Sequence, residues 1–286
     1  MAAAPLAASV GATSVLGTAR PQERAAGRVR LKQSVMNSVW GDSGLSFEEQ
    51  CAVLQRIGFQ GRDLPRPQQV EIMADYGLSP TLMTGTGTGF QDGLIRRELH
   101  DQFEDAFYEG IDMCAEVGCP NLIALPGERR GMSYEEGMAN AIAMFDRVAD
   151  YAEENGVILC MEITNAKVET DNRTDQIFSS LDWGLNVCRG TGSPNVKIVY
   201  DVYHVQITDG DVTRNLRDNI DYVCHIHTAG VPSRAEIDDT NELNYSFIAN
   251  AIADLGYTGY VAHEHRPSPG RDVIESLEQA FEILDV

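Results

Sequence analysis

From residue 31 to the C-terminus, short apolar runs alternate eight times with segments of helical period. Few folds accept that pattern, because parallel strands need a long crossover between them. The strand candidates are Leu31–Val39, Phe59–Leu64, Pro80–Thr84, Asn121–Pro126, Val157–Ile163, Val196–Val202, Tyr222–Thr228 and Gly259–Glu264. Helical spacing predicts helices over Ser46–Ile57, Pro67–Tyr76, Ile95–Val117, Ser133–Asn155, Thr174–Arg189, Asp211–Asn219, Tyr245–Leu255 and Asp272–Leu284. Ser46 with Glu49, and Ser133 with Glu136, have the spacing of capping boxes. Pro67 suits a first helical turn. Several helices run into a glycine just before the next strand, as at Gly58, Gly118 and Gly156, where a left-handed cap belongs. Right-handed crossovers close eight such units into a single (β/α)8 TIM barrel, an α/β fold of about 250 residues. The rival, a doubly wound open sheet, carries a glycine-rich turn after its first strand. Asn37-Ser38-Val39-Trp40-Gly41 is no such turn.

The barrel domain is read as 31–286, and residues 1–30 stand apart. Met1 to Ala19 is rich in Ala, Ser, Gly and Leu and holds no acidic residue. Gly17-Thr18-Ala19 fits a small-x-small cleavage site, but the basic region that precedes one in an export signal is missing. Two readings stay open: a disordered extension, or the remnant of an export signal. The first implies a cytoplasmic protein and the second a periplasmic one. No apolar run reaches the length of a membrane span.

A formal net charge of −21 opposes a nucleic-acid partner, since a phosphate backbone would be repelled. The six cysteines form no CxxC pair and are read as free buried thiols. A homo-oligomer is left open.

Active residues of a TIM barrel project from the carboxyl ends of its strands. Here strand five ends on Glu162, strand six on Asp201, strand seven on His227 and strand eight on Glu264. A carboxylate closing a buried strand is costly unless something compensates it. One such ending is unremarkable, but three carboxylates and an imidazole on consecutive strands converge on one point. Glu162, Asp201, His227 and Glu264 are therefore read as the ligands of one divalent metal ion. Oxygen-rich ligands with one imidazole suit Mg2+, Mn2+ or Co2+ better than structural Zn2+. Such an ion polarises a carbonyl and stabilises an enediolate. Glu162 and Glu264, on different sides of the site, are the natural acid–base pair for moving a proton between adjacent carbons.

Other polar residues stand near these strand ends. His204 is read as a donor to a substrate oxygen, with a backbone-bonded loop histidine as its alternative. Arg234 is read as an anchor for a carboxylate or terminal hydroxyl, or else as a solvated loop arginine. Lys167 and Arg129 are weaker candidates of the same kind. His225 shares the strand face of His227 and reads as a core histidine, with a supporting partner as the other reading. Gly85-Thr86-Gly87-Thr88-Gly89 lacks the Lys-Ser/Thr ending of a phosphate cradle and is expected to be a flexible loop.

At these residues the chain resembles the xylose isomerase-like TIM barrels, and most closely the hydroxypyruvate isomerase family among them. The resemblance covers about residues 31–286. It rests on Asp201-Val202-Tyr203-His204-Val205-Gln206, Asp209-Gly210-Asp211, His225 through Arg234, Asn241-Glu242-Leu243-Asn244-Tyr245, Gly259-Tyr260 and Glu264-His265-Arg266-Pro267. It implies metal ligation by Glu162, Asp201, His227 and Glu264, proton exchange by Glu162 and Glu264, and substrate contacts from His204 and Arg234. One departure stands out. Hydroxypyruvate isomerases often carry glutamine where this chain has His227, and histidine there looks more like the ketose 3-epimerases.

The sequence thus points to an aldose–ketose type isomerase working through an enediolate on a small keto acid or sugar, with hydroxypyruvate to tartronate semialdehyde as the favoured example. A ketose 3-epimerase is the alternative. A metal-dependent, AP endonuclease-like DNA-repair enzyme is disfavoured by the charge. A non-catalytic sugar-acid binding protein is the remaining class.

Overall fold

The computed structural model describes residues 29–41, 43–168 and 175–286. Eight strands run parallel in the order β3-β2-β1-β8-β7-β6-β5-β4. A parallel bridge between Met83 and Leu122 joins β3 to β4, so the sheet closes on itself as a barrel. The strands are β1 (Lys32–Val35), β2 (Gly61–Asp63), β3 (Ser79–Leu82), β4 (Asn121–Ala124), β5 (Ile158–Glu162), β6 (Val196–Asp201), β7 (Val223–Thr228) and β8 (Tyr260–His263). The helices are α1 (Phe47–Ile57), α2 (Val70–Asp75), α3 (His100–Val117), α4 (Tyr134–Glu154), α5 (Leu181–Thr191), α6 (Val202–Thr208), α7 (Val212–Asn219), α8 (Tyr245–Asp254) and α9 (Val273–Leu284).

Local chemistry sets the element ends. Ser46 accepts from the Glu49 N–H while Glu49 reaches back to the Ser46 N–H, so the expected capping box forms at α1. Ser133 caps α4 by accepting from the Glu136 N–H. Gly58 takes a left-handed φ of 114°, and its N–H donates to Leu54 O. A side chain there would sit in strained backbone, which is why glycine ends this helix.

Several elements depart from the expected pattern. The first strand stops at Val35, and Asn37–Trp40 winds into a 3-10 turn. Helix α5 begins at Leu181, later than the expected Thr174, which itself lies outside the described residues. Helix α6 follows β6 directly, taking Val202, the expected last strand residue, and running on to Thr208, where no helix is expected. The expected extension falls mostly on residues 1–28, outside the described ones. Val29 and Arg30 are tied to the barrel: the Val29 N–H donates to Ala253 O, and Arg30 pairs with Asp285 at 2.7 Å.

The main core lies between sheet and helices, where Phe103 and Phe107 of α3 meet Phe145 of α4. Burying each such ring contributes roughly 1.5–3 kcal/mol. A smaller cluster of Leu82, Ile123, Cys160, Val199 and Cys224 packs separately. Cys160 and Val199 stand two residues before Glu162 and Asp201, hence on the same strand faces, and form an apolar floor beneath them. All six cysteines are free and buried, and no helix among the described residues is long and apolar enough to cross a membrane.

Candidate metal centre

Parallel register places the strand ends side by side. Asp201 of β6 pairs with His227 of β7, and His227 pairs with Ala262 of β8. Glu162 closes β5 opposite Val199. Glu264 lies one residue past β8, where its N–H still donates to Thr228 O at 2.9 Å. One ligand atom from each of Glu162, Asp201, His227 and Glu264 lies within 4.8 Å of the others. His227 Nδ1 is 2.8 Å from Glu162 Oε1 and 2.9 Å from Glu264 Oε2.

Asp201 does two jobs with two oxygens. Oδ1 caps α6 by accepting from the Tyr203 and His204 N–H groups at 2.7 and 3.2 Å. Oδ2 faces the cluster, 3.5 Å from Arg234 Nη2 and from His204 Nε2. The helix start thereby fixes the rotation of the carboxylate.

The charges in this space are strongly coupled. Burial and the neighbouring Glu264 carboxylate push the Asp201 carboxyl up to about 7, against the pull of Arg234. Burial also opposes ionisation of Glu264, but Arg234 and His227 prevail and hold its carboxyl well below the usual range. Arg234 Nη2 lies 2.7 Å from Glu264 Oε1. Burial works against a charged imidazole at His227, yet Glu264, Glu162 and Asp63 hold it well above its ordinary value.

The donor set fits a divalent cation. Asp201 Oδ2 is buried and accepts no hydrogen bond, with Arg234 Nη2 no nearer than 3.5 Å, an arrangement that a bound cation would relieve. Three carboxylates and one imidazole form the hard, oxygen-rich set that Mg2+ or Mn2+ takes.

His227 is held from beneath by a residue the sequence reading did not single out. Asp63, at the end of β2, lies 3.0 Å from His227 Nε2 and 2.8 Å from His225 Nε2, both through Oδ2. Thr81 and Ser34 donate hydroxyls to its Oδ1. Burial opposes a charge on Asp63, but the two imidazoles prevail and hold its carboxyl far below the usual range. An ionised carboxylate only accepts, so both rings place a hydrogen on Nε2. His227 therefore turns Nδ1 toward the cluster, the carboxylate–histidine pairing that orients metal ligands. His225, fully buried, is a core histidine and a supporting partner at once. The signal for Asp63 was present: Gly61-Arg62-Asp63 is another short strand closing on an acid.

The other candidates separate cleanly. His204 lies in the first turn of α6, buried, with Nδ1 2.8 Å from Asn165 Nδ2. Arg234 is buried at a left-handed φ of 55°, stacked over Tyr203 at 5.2 Å. Both border the cluster. Lys167 instead donates to Ile207 O at 2.6 Å, at the end of α6. Arg129 donates to Met132 O and stacks on Tyr134. The glycine-threonine loop after β3 is tied down, because Thr88 Oγ1 accepts from the Leu125 N–H at 2.8 Å.

The family model described as xylose isomerase-like TIM barrel matches residues 42–284. The chain belongs to that family. Among its relatives, the 2-oxo-tetronate isomerase of Cupriavidus necator is 36% identical over 122 residues, 43% of this chain and 45% of that protein. A putative hydroxypyruvate isomerase of Xenopus laevis is 26% identical over 172 residues, 58% of this chain and 62% of that one. The chain thus spans about half to just under two thirds of these relatives' length. Among solved structures of the fold, an AP endonuclease, family 2, from Brucella melitensis superposes with a TM-score of 0.76 at 22% identity, covering 86% of this chain and 97% of that one. At that identity the likeness speaks for the barrel alone.

Proposed function

We propose that this family member is a divalent-metal-dependent intramolecular isomerase that moves a carbonyl between adjacent carbons of a small 2-keto acid. Hydroxypyruvate and tartronate semialdehyde are the favoured pair. The observation that carries this reading is the pair of glutamates, from β5 and β8, that meet His227 Nδ1 at 2.8 and 2.9 Å within one buried ligand set.

Glu162, Asp201, His227 and Glu264 are the residues that would hold the ion, and a bound divalent cation supplies positive charge to a substrate carbonyl. Glu162 and Glu264 serve as the acid–base pair. One carboxylate takes the proton from C3 of hydroxypyruvate, leaving an enediolate, and a proton is returned at C2 while the hydroxyl proton passes from O3 to O2. His204 offers its ring to a substrate oxygen. Arg234 is the buried cation suited to a substrate carboxylate. The names of the two relatives support this class, since each denotes an acid with a keto group at C2 and a hydroxyl at C3. A ketose 3-epimerase is the second reading, favoured by the imidazole of His227 at the third ligand position. A DNA-repair role is opposed by the net charge of −21.

The test is incubation with Mg2+ or Mn2+ in D2O, offering hydroxypyruvate, 2-oxo-tetronate and free ketoses in turn, read by NMR. Deuterium at C3 of hydroxypyruvate and formation of the aldehyde are expected. Ketose epimerisation without action on either keto acid selects the second reading. No exchange with any of them at saturating concentration overturns both.

A further inference from the structure

Asn165 is a small buried amide that neither the ligand set nor the proposed proton transfer uses. Its orientation is settled by its neighbours. Oδ1 accepts from the N–H groups of Lys167 and Val168 at 3.1 and 2.9 Å. Flipping the amide would turn its NH2 against those two donors, so Oδ1 must face them. Nδ2 is then the atom that lies 2.8 Å from His204 Nδ1. An amide nitrogen only donates. His204 Nδ1 is therefore the acceptor, and the ring hydrogen sits on Nε2. Nε2 is the nitrogen on the cluster side, 3.5 Å from Asp201 Oδ2.

We propose that Asn165 is a positioning residue that fixes His204 as the Nε2–H tautomer, so that His204 meets a substrate oxygen as a hydrogen-bond donor and not as a base. The second half of that statement rests on the isomerase reading; the tautomer itself does not. The ring backbone is fixed as well, since the His204 N–H donates to Asp201 Oδ1 and its carbonyl accepts from Thr208 Oγ1. The two imidazoles beside the cluster are thereby presented with opposite polarity. His227 is held through Nε2 by a carboxylate and shows Nδ1. His204 is held through Nδ1 by an amide and shows Nε2–H. A fixed donor aimed at a substrate oxygen stabilises the negative charge that develops there in an enediolate. It also leaves Glu162 and Glu264 as the proton carriers, because an imidazole held in this way has no lone pair facing the substrate.

The experiment is 15N NMR of the histidine rings in the full-length protein with Mg2+, with His204 assigned by loss of its signals in His204→Gln. The expected result is a pyridine-type Nδ1 and a pyrrole-type Nε2. In Asn165→Asp, the carboxylate still accepts from the two backbone N–H groups but accepts from the ring as well. Its expected signature is a pyrrole-type Nδ1, with turnover on the active substrate reduced about 100-fold, the scale of losing one preorganised donor. Asn165→Leu is expected to leave both tautomers populated. A pyridine-type Nε2 in the wild-type protein overturns the proposal without any variant. Unchanged His204 shifts in Asn165→Asp overturn it too. If the wild-type and variant shifts behave as expected but no keto acid or ketose exchanges deuterium, the isomerase reading falls and the positioning by Asn165 stands.

Discussion

Strands β5 to β8 deliver Glu162, Asp201, His227 and Glu264 to the mouth of the barrel, whereas β1, β3 and β4 end on Val35, Leu82 and Ala124. Both halves share one architecture, and in the first only β2 closes on an acid. That acid, Asp63, lies beneath His227 instead of beside the other three carboxylates. The difference separates a half that presents the proposed ligands from a half that supports them. It also explains how so much negative charge is tolerated at the mouth. Arg234 and His227 offset it from within the ligand-bearing half, and Asp63 steadies His227 from across the barrel.

The largest expected effect lies in the ligand-bearing half. Glu162→Gln or Glu264→Gln is expected to lower kcat on the active substrate by about 10²–10⁴-fold, the worth of a positioned acid–base group. In Glu264→Gln the melting temperature should also fall, because the change removes the carboxylate charge that Arg234 meets at 2.7 Å in a buried site. Retained activity in either variant would break the division of labour.

Asp63→Asn probes the supporting half. Weakening the partner that orients His227 is expected to cost about 10–100-fold in Mn2+ affinity by calorimetric titration. Unchanged affinity would mean that the first half does not reach the site.

Smaller effects lie away from the ligands. The Glu236 carboxylate accepts from the Ser268 N–H and hydroxyl at 2.9 and 2.6 Å, latching the β7–α8 loop to the β8–α9 loop. Burial raises the Glu236 carboxyl, but these two donors outweigh it and hold it below its ordinary value. A depressed carboxyl contributes stability that is present above its unfolded value of 4.5 and fades as pH falls through the lower folded value. Glu236→Gln should therefore lower stability by about 1 kcal/mol at neutral pH, with the gap closing below that range in denaturant titrations. Ser46→Ala, at the α1 cap in the supporting half, should cost about 1 kcal/mol and leave kcat unchanged. A fall in kcat there would show the supporting half to be less separate from the chemistry than its side chains suggest.

The eight-fold alternation was readable because apolar runs, capping boxes and terminal glycines all agree on where elements begin and end. Helix α6 was not, since Val202 and Val205 are β-branched and Tyr203 and His204 aromatic, so the segment after Asp201 carries no helix signal of its own. Its start is set by Asp201, whose capping role is visible only once its two oxygens are placed. The four strand-end donors were legible because they lie on consecutive strands. Asp63 obeys the same pattern but sits 164 positions before His227, so only the closed barrel brings the two together. Asn165 had no sequence signal at all. Its meaning lies in which way an amide points, and two backbone N–H groups settle that only in the folded chain.

The central claim is that the four strand-end side chains form one divalent-cation site. The most direct measurement is a calorimetric titration of chelator-stripped protein with Mn2+, run beside an Asp201→Asn, His227→Ala double variant. One ion per chain in the wild-type protein, with binding lost in the variant, is the predicted result. Absence of binding in the wild type, or equal binding in both, would contradict it.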